Sequence, residues 1–361
     1  MRVDAEFWRK KRVLLTGHTG FKGAWMALWL EKMGALVTGY ALPPPEGESL
    51  FAAFAPWPGL RSVEGDLRDR QSLAALAREV RPQIVIHMAA QAIVRRSFRE
   101  PVETFATNVM GTAHVLDAVA GQNGVKAILI VTSDKVYDNA DHGRPFREDD
   151  QLGGADPYSA SKAAAEHLAA CWRSSFLRGD GQPLLGVARA GNVIGGGDWS
   201  EDRLVPDVIR AGAEGRPVML RYPGSTRPWQ FVLDVVSGYL IYAQLLARGP
   251  GSAPEAINFG PKAGEKPLAA ADLVTGLQAA FGWDYGWTAA PGEPLPEKTR
   301  LALDTRLADA TLGWRALVDS GAALDWIAQW HRARFAGADM RRFSLDQIQS
   351  FEALSLAETC A

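Results

Sequence analysis

The stretch from Lys11 to Gly23 reads KRVLLTGHTGFKG. Its first half is a short run with an apolar centre, and its second half carries glycines in the spacing GxxGxxG. An apolar helical pattern follows from Ala24 to Met33 and stops at Gly34, after which Leu36 to Tyr40 is typical of a strand. The order strand, glycine turn, helix, strand predicts a βαβ unit whose turn brings backbone amides against a diphosphate.

The end of the second predicted strand leaves the type of dinucleotide open. Folds of this kind often place Asp or Glu there to bind the adenosine ribose, but here the strand ends in TGYAL and three prolines follow. The first carboxylate after it is Glu46, and no arginine stands at the strand end to meet a 2′-phosphate. This strand end therefore does not decide between NAD and NADP.

Further strands follow in the order expected of a doubly wound α/β sheet. Asp66, after the third strand, could accept from an adenine amino group, although an ordinary turn aspartate has the same pattern. Small residues after the fourth strand, Ala89 and Ala90, would let the backbone run against a cofactor. We therefore predict a Rossmann-type parallel sheet that binds its ligands at the carboxyl edge. The later strands are predicted at 61–64, 84–88, 128–132 and 184–190.

Polar residues gather at that edge. The fifth predicted strand delivers Ser133, Asp134 and Lys135 to it. Tyr158 and Lys162 lie four residues apart and share one face if 158–178 is a helix. An ammonium beside a phenol lowers the phenol pKa and makes it a base for an alcohol. The spacing alone is also typical of a solvated helix start, so the glycine turn upstream is what makes the pair a catalytic candidate.

After Gly191 the pattern changes to loops rich in glycine, tryptophan and arginine. Arg203 and Arg227 suit a doubly charged diphosphate, although each alone is equally typical of a surface charge. We predict an NAD-binding Rossmann domain at 1–190 with a contribution from about 228–258. A smaller substrate-binding domain is predicted at 191–227 and 259–361, including the C-terminal tail, with short helical patterns from Gly260 onward.

Composition narrows the class of protein. At 361 residues the chain is long enough for a large core, and its net charge of −2 gives no electrostatic reason to expect nucleic acid or an anionic membrane as partner. No apolar stretch reaches spanning length, and residues 1–11 lack a signal-peptide pattern. Cys171 and Cys360 stand apart from any Cys/His cluster. We expect a reduced, cytoplasmic protein without a metal site.

Several motifs occur in the order found in one large enzyme family. The chain resembles the extended short-chain dehydrogenases/reductases, the NAD-dependent epimerase/dehydratase family, from about Phe7 to Trp314. The narrower motifs resemble those members that dehydrate CDP-glucose. The resemblance implies a Rossmann domain, an NAD that stays on the enzyme, a nucleotide-sugar substrate and a place in deoxysugar biosynthesis for lipopolysaccharide. The motifs shared by the superfamily are GxxGxxG and YSASK, and the narrower ones are SDKVY, GNVIGGGDW and RPWQFV, with HMAAQ, TNVMGT and RLVP between them.

The resemblance also implies a reaction. A lyase of this kind would convert CDP-D-glucose to CDP-4-dehydro-6-deoxy-D-glucose and water, by oxidation at C4 with NAD, elimination across C5 and C6, and hydride return to C6. Tyr158 would take the proton of the 4-hydroxyl, which Ser133 holds, and Lys162 would bond the nicotinamide ribose. Asp134, protonated, would give a proton to the departing 6-hydroxyl.

The same resemblance implies the binding residues and the assembly. Relatives commonly dimerise through helices that correspond to 104–120 and 158–177, so a homodimer or homotetramer is expected. The expected cofactor-binding residues are Gly17, His18, Thr19, Gly20, Phe21, Lys22, Gly23, Tyr40, Asp66, Leu67, Ala89, Ala90, Gln91, Asn108, Tyr158 and Lys162. The expected substrate-binding residues are Ser133, Asn192, Trp199, Arg203, Val218, Leu220, Arg227 and Arg300.

Lys135 departs from the better-known relatives that act on dTDP-glucose, which carry a glutamate there. A lysine is a base only if its pKa is lowered; otherwise its charge would stabilise an enolate while another group moves the proton. Rival functions are a nucleotide-sugar 4-epimerase, a decarboxylase, a dehydratase of another NDP-sugar, and a catalytically silent NAD-binding regulator. The Asp134-Lys135 pair favours the dehydratase over the epimerase, and the presence of both Tyr158 and Lys162 disfavours the silent regulator.

Overall fold

The computed structural model describes residues 1–139, 143–249, 253–291 and 301–360, apart from the side chains of Thr359 and Cys360. The strands are β1 (Arg12–Thr16), β2 (Leu36–Ala41), β3 (Leu60–Glu64), β4 (Ile84–His87), β5 (Ala127–Val131), β6 (Leu184–Ala190), β7 (Val193–Ile194), β8 (Val218–Leu220), β9 (Thr226–Arg227), β10 (Gln230–Phe231), β11 (Ala256–Phe259), β12 (Leu268–Ala269) and β13 (Trp287–Ala289). The helices are α1 (Ala5–Trp8), α2 (Phe21–Lys32), α3 (Leu50–Ala53), α4 (Arg70–Val80), α5 (Val94–Arg99), α6 (Pro101–Phe105), α7 (Gly111–Ala120), α8 (Pro157–Ser175), α9 (Leu204–Ala213), α10 (Val232–Ala247), α11 (Ala270–Phe281), α12 (Arg306–Leu312), α13 (Ser320–Phe335) and α14 (Met340–Cys360). A π-helical turn (Ala106–Met110) joins α6 to α7, and a 3₁₀ turn covers Asp134–Val136.

Within the described residues, seven parallel strands form one sheet in the order β11-β6-β5-β4-β1-β2-β3. The central strands are continuous apolar runs because helices cover both faces, as β5 shows with every residue buried. The strand order reverses between β1 and β4, so their carboxyl ends open the crevice in which ligands of such sheets bind. The predicted doubly wound fold is confirmed.

The predicted elements are present with shifted ends. α2 begins at Phe21 rather than Ala24 because Gly20 takes the N-cap position. The short helical patterns expected after Gly260 are wrong for the last part of the chain, where α13 and α14 have 16 and 21 residues. α14 packs on α2 through Trp29 and Phe351, whose ring centroids lie 5.7 Å apart, and through the Lys32–Glu352 ion pair at 2.6 Å.

Residues beyond 190 also complete the sheet. β11 pairs with β6 in parallel, and α10 packs against β5 and β6. These contacts put 232–259 beside the cofactor half of the molecule, while the boundaries of the two domains stay a prediction. Over the described ranges, no helix combines the length and apolar character needed to cross a membrane.

Candidate active site

β5 ends in a turn that carries three of the predicted catalytic residues. Ser133 caps the 3₁₀ turn, since its Oγ accepts from Lys135 N at 3.2 Å. The same hydroxyl donates to Asp134 Oδ1 at 3.0 Å. Asp134 is only 3% exposed, so its carboxyl is held inside the protein.

α8 presents Tyr158 and Lys162 to the same place. The Tyr158 phenol lines the cavity together with Ser133, whose hydroxyl favours the phenolate, and Lys162 Nζ donates to Val131 O at 3.2 Å. The structure therefore brings the predicted catalytic residues together around one cavity of about 350 Å³. Cavities of this size are typical of small-molecule sites.

Burial shifts the proton affinities of these groups. It raises the pKa of Asp134 and lowers the pKa of Lys162 to about 8, because both charged forms lose hydration. Glu166, one turn further along α8, opposes the shift of Lys162. The pKa of Tyr158, predicted to be lowered by Lys162, is instead raised, because desolvation outweighs the opposing effects of Ser133 and Arg203.

The glycine turn between β1 and α2 has the shape of a diphosphate cradle. Gly17 adopts φ +78°, and a Cβ there would lie 2.7 Å from Ala89 N. A Cβ on Gly23 would lie 2.0 Å from Gly17 O, so turn and helix approach as only glycine allows. Gly20 caps α2 without a side-chain hydrogen bond, which leaves the first helical amides for an anion.

His18 lies beneath this turn. Its ring is buried against Gly39, where a Cβ would meet Cγ at 2.3 Å, and Nε2 is hydrogen-bonded to Ser62 Oγ at 2.7 Å. Burial lowers the pKa of His18 to about 4, so the ring is neutral at physiological pH. Of its neighbours, Thr19 Oγ1 donates to Leu42 O at 2.9 Å.

Lys22, predicted to bind the cofactor, lines the same cavity as Asp134 and Tyr158. Its Nζ donates to Tyr239 OH at 3.4 Å. Burial, reinforced by Arg203 and Lys162, lowers the pKa of Lys22 to about 7. Phe21 is not among the described lining residues, and its ring tip lies 3.0 Å from where a Cβ on Gly195 would be.

Gln91 and Asn108 hold the loop after β4 to the π-helical turn. Gln91 N donates to Asn108 Oδ1 at 2.8 Å, and Asn108 Nδ2 donates to Gln91 O at 3.0 Å and to Ser161 Oγ at 2.9 Å. Between β4 and this anchor, Ala89 packs against Gly17 and Ala90 lines the cavity. The pair therefore fixes where the crevice wall lies.

The residues expected to bind the adenosine end of the cofactor make contacts within the protein. Tyr40 is buried and its hydroxyl donates to Asp66 O at 2.9 Å. The Asp66 carboxylate accepts from Arg68 Nε at 2.9 Å, which lowers its pKa. Leu67 is buried against Gly111 of α7, where a Cβ would lie 2.9 Å from Leu67 Cβ.

Not all predicted substrate residues reach the cavity. Val218 is 2% exposed and packs in the core, and Trp199 packs edge-on against His331 with ring centroids 5.0 Å apart; neither is among the described lining residues. Arg300 lies outside the described residues. Those that do line the cavity are Ser133, Asn192, Arg203, Leu220 and Arg227.

The rim of the cavity carries an ion-pair cluster that sequence patterns missed. Asp202, with a left-handed φ of +56°, accepts from Arg95 Nη1 at 3.3 Å and from Arg221 Nη2 at 2.8 Å. Arg95 belongs to α5 and Arg221 follows β8, so Asp202 joins the two sides of the cavity. These residues are far apart in sequence and form no local motif.

Known proteins match the chain over most of its length. The model of the NAD dependent epimerase/dehydratase family matches residues 13–260. The chain belongs to this family. It is 42% identical to the CDP-glucose 4,6-dehydratase of Salmonella typhimurium, over 97% of its own length and 98% of the relative's. It is 31% identical to the dTDP-glucose 4,6-dehydratase of Streptomyces griseus, over 88% and 93% of the two chains.

A crystal structure of a dTDP-glucose 4,6-dehydratase from Streptomyces venezuelae has the same fold. It covers 91% of this chain and 99% of its own, with a TM-score of 0.76 and 24% identity. The family is NAD-dependent by description, and NAD is the cofactor. The glycine cradle and the small residues Ala89 and Ala90 fit that group, because Gly17 and Gly23 allow the close backbone approach and Gly20 caps α2 without a side-chain hydrogen bond.

A buried polar network lies beneath the turn that follows β5. Its residues are far apart in sequence and form no local motif. Glu166 and Arg189 form an ion pair with both side chains 4% exposed. Thr132 Oγ1 donates to Glu166 Oε1 at 2.7 Å, and Arg189 Nη1 donates to Tyr137 OH at 2.7 Å. Tyr137 OH donates in turn to Asn258 Oδ1 on β11 at 2.6 Å. Both ends of the turn that carries Ser133 to Lys135 are thus tied to one ion pair.

Proposed function

We propose that the protein is a hydro-lyase that converts CDP-D-glucose to CDP-4-dehydro-6-deoxy-D-glucose and water. The observation that carries this proposal is that one cavity holds two chemical sets. Tyr158 with Lys162 suits oxidation of an alcohol, and Asp134 with Lys135 suits elimination. An epimerase needs only the first set. The relative from Salmonella typhimurium, similar over nearly the whole chain, carries this activity in its name.

NAD supplies the hydride acceptor for C4 and the hydride donor for C6. The residues that would hold it are already arranged around the crevice. The amides at the start of α2 and the backbone near Gly17 and Ala89 would meet its diphosphate. Lys162 would bond the nicotinamide ribose.

In the oxidation step, Tyr158 takes the proton of the 4-hydroxyl. Ser133 lines the same cavity and offers a second hydroxyl that can orient the sugar oxygen. Because burial raises the pKa of Tyr158, positive charge is needed nearby for the phenol to act as a base at neutral pH. Arg203 opposes the rise of the Tyr158 pKa, and Lys162, with a pKa of about 8, lines the same cavity.

In the elimination step, Asp134 is the acid. Burial raises its pKa and so favours the protonated carboxyl that can give its proton to the departing 6-hydroxyl. Lys135 lies close enough to oppose this shift. As a neutral amine Lys135 would take the proton from C5, and the ammonium so formed would stabilise the enolate.

A turnover screen tests the function. CDP-, dTDP-, UDP- and GDP-glucose are incubated with the protein, with and without added NAD, and the products are identified by mass and NMR. We expect the 4-keto-6-deoxy product, with CDP-glucose preferred by about tenfold or more. Formation of CDP-galactose alone would refute the lyase, and a clear preference for another nucleotide would refute the choice of base.

We also propose a homodimer in the cytoplasm. An apolar face on α6 and the π-helical turn supports the dimer, since Val102 is 81% exposed and Met110 is 52% exposed. Exposed Cys171 supports a reducing compartment, because such a thiol would be oxidised elsewhere. The cofactor domain is proposed to comprise 1–190 and about 228–258, and the substrate domain 191–227 and 259–361.

A further inference from the structure

Gln230 is a buried amide whose side chain has no hydrogen-bond partner among the described residues. It is 2% exposed and lies on β10, where its backbone N donates to Asn192 O at 2.9 Å. The backbone position is therefore fixed while the amide nitrogen and oxygen stay unsatisfied. Burying such a group without a hydrogen bond lowers the stability of the folded protein. Native proteins keep one where it has a function or a bound water.

The amide lies beside Asp134. A Cβ on Gly191 would sit 2.8 Å from Asp134 Oδ2 and 3.2 Å from Gln230 Nε2, so both atoms border one small space behind Gly191. Pro228 Cγ closes another side of it at 2.8 Å. Asp134 Oδ1 is already taken by Ser133, which leaves Oδ2 for this space. Gly191 lines the cavity and Gln230 does not, so Gln230 stands behind the acid and away from the sugar.

The charged groups around Asp134 favour its carboxylate form. They are Lys135 on its own turn, Arg227 on β9 and Lys22 on α2. Tyr158 on α8 and Tyr239 on α10 also face it, and both are neutral phenols whose pKa values are raised. An acid that must carry a proton in this setting needs a neighbour that does not add further positive charge. A carboxamide meets that need, since its oxygen accepts from a carboxylic acid and its nitrogen donates to a carboxylate.

We propose that Gln230 is a positioning residue for the elimination step, which holds Asp134 Oδ2 through one bridging water and keeps the carboxyl ready to protonate the 6-hydroxyl. This rests on the proposed dehydratase function. A bridging water is nearly as good as a direct hydrogen bond and suits a gap bounded by two polar groups. Gly191 is required because any larger side chain would fill that gap.

The first test is Gln230→Leu, which keeps the volume and removes the amide. We expect unchanged KM for CDP-glucose, unchanged transfer of deuterium from C4 to the cofactor, and elimination slowed by about tenfold or more. Reduced nicotinamide and the 4-keto intermediate should then accumulate, as seen by absorbance and by mass. An unaltered ratio of elimination to oxidation would overturn the proposal.

Stability separates this role from a structural one. Because no described protein group bonds the Gln230 amide, Gln230→Leu breaks no hydrogen bond between protein groups, and the Tm should stay the same or rise. The elimination rate of the variant should also decline at lower pH than in the wild type, because Asp134 loses its acid form more easily. Gln230→Glu, which can share a proton with Asp134, should recover elimination at acidic pH. A lower Tm with oxidation and elimination reduced equally would overturn the proposal.

Two controls complete the test. In an Asp134→Asn background, Gln230→Leu should not slow elimination further. If the two substitutions instead reduced the elimination rate additively, a shared role would be contradicted. Gln278→Leu removes another buried amide, which bonds the backbone of Gly286 and is not among the described lining residues, and it should leave the ratio of the two steps unchanged. If the wild type makes no 4-keto-6-deoxy sugar, the proposed function and this proposal fail together; normal product with an unaltered ratio in Gln230→Leu refutes this proposal alone.

Discussion

Lys22 and Lys162 face one buried cavity, and burial removes water from both ammonium groups. Burial lowers the pKa of Lys22 to about 7 and that of Lys162 to about 8, and the two ammonium groups repel each other. Arg203 adds a third positive charge. A cavity with this charge is unfavourable for the protein alone and favourable once an anion enters it, as a diphosphate would.

Lys22→Met should therefore stabilise the protein. The pKa of Lys22 is about 7 in the folded protein against an ordinary 10.5, so the unfolded chain binds this proton more tightly. The loss of folding stability caused by Lys22 is therefore fully present below pH 7, and it decreases as the pH rises towards 10.5. The Tm advantage of the variant over the wild type should shrink over that window in thermal unfolding without added nucleotide. Lys126→Met, at an exposed position, is the control, and an advantage independent of pH would contradict this account.

Tyr158→Phe tests the proton acceptor. The fold and NAD binding should be intact, because the substitution removes one oxygen atom and keeps the buried ring. Turnover should fall by about 10²-fold or more, as for a lost acid–base group. Steady-state assays with a NAD titration measure both quantities. Tyr285→Phe, on an exposed tyrosine, should leave turnover unchanged. Turnover near the wild-type rate in Tyr158→Phe would remove this residue from the mechanism.

At the scale of elements, the 3₁₀ turn Asp134–Val136 is too short to be stable without contacts to the rest of the protein. Its position comes from the ion pair Glu166–Arg189, which anchors Thr132 before it and Tyr137 after it. β5, β6, β11 and α8 all contribute to that anchor. The geometry of the acid–base residues therefore depends on Glu166 and Arg189, which are not among the described residues that line the cavity.

Thr132→Val should lower kcat several-fold with KM unchanged. It removes one hydrogen bond to Glu166 at nearly constant volume and costs about 1 kcal/mol of unfolding free energy. Glu166→Gln should be more severe, about 3–5 kcal/mol, because Arg189 would be left as an unpaired buried charge. Denaturant unfolding and steady-state kinetics measure these effects. Glu79→Gln, in an exposed pair with Arg61, should change little. Equal losses in the three variants would argue against an anchoring network.

The sequence predicts those parts of the molecule that depend on interactions between residues close together in the chain. β1, β5 and the glycine turn are specified locally, by apolar runs and by close approaches that only glycine permits. The raised pKa of Tyr158 was not foreseen, because desolvation depends on the packing around it. The pairing of Glu166 with Arg189 and the position of Gln230 depend on strand order, which no local pattern encodes. Val218 was expected at the substrate and lies in the core for the same reason.

At the scale of the whole molecule, one exposed face stands out as apolar. α6 and the π-helical turn form a shallow surface on which Val102, Phe105 and Met110 are exposed. This face adjoins α8, the helix that carries Tyr158 and Lys162. A dimer formed there would brace the catalytic helix from outside.

Val102→Asp combined with Met110→Asp should abolish the dimer. Charges on an apolar contact surface lose hydration without gaining partners. Sedimentation should show a monomer of about half the wild-type mass, with an unchanged circular dichroism spectrum. Leu354→Asp, on an exposed part of α14, is the matched control and should leave the mass unchanged. An unaltered mass in the double variant would place the assembly on another surface.

The packing of α14 on α2 links the far end of the chain to the nucleotide crevice. The Trp29–Phe351 contact and the Lys32–Glu352 ion pair lie on the same helix whose first turn begins the diphosphate cradle. Opening of α14 would loosen α2, so a ligand that tightens α2 should make this opening rarer. Amide hydrogens of α14 should therefore exchange more slowly with solvent deuterium when NAD is present. Hydrogen exchange in α14, measured by mass spectrometry, would then report whether the distant cofactor site is occupied.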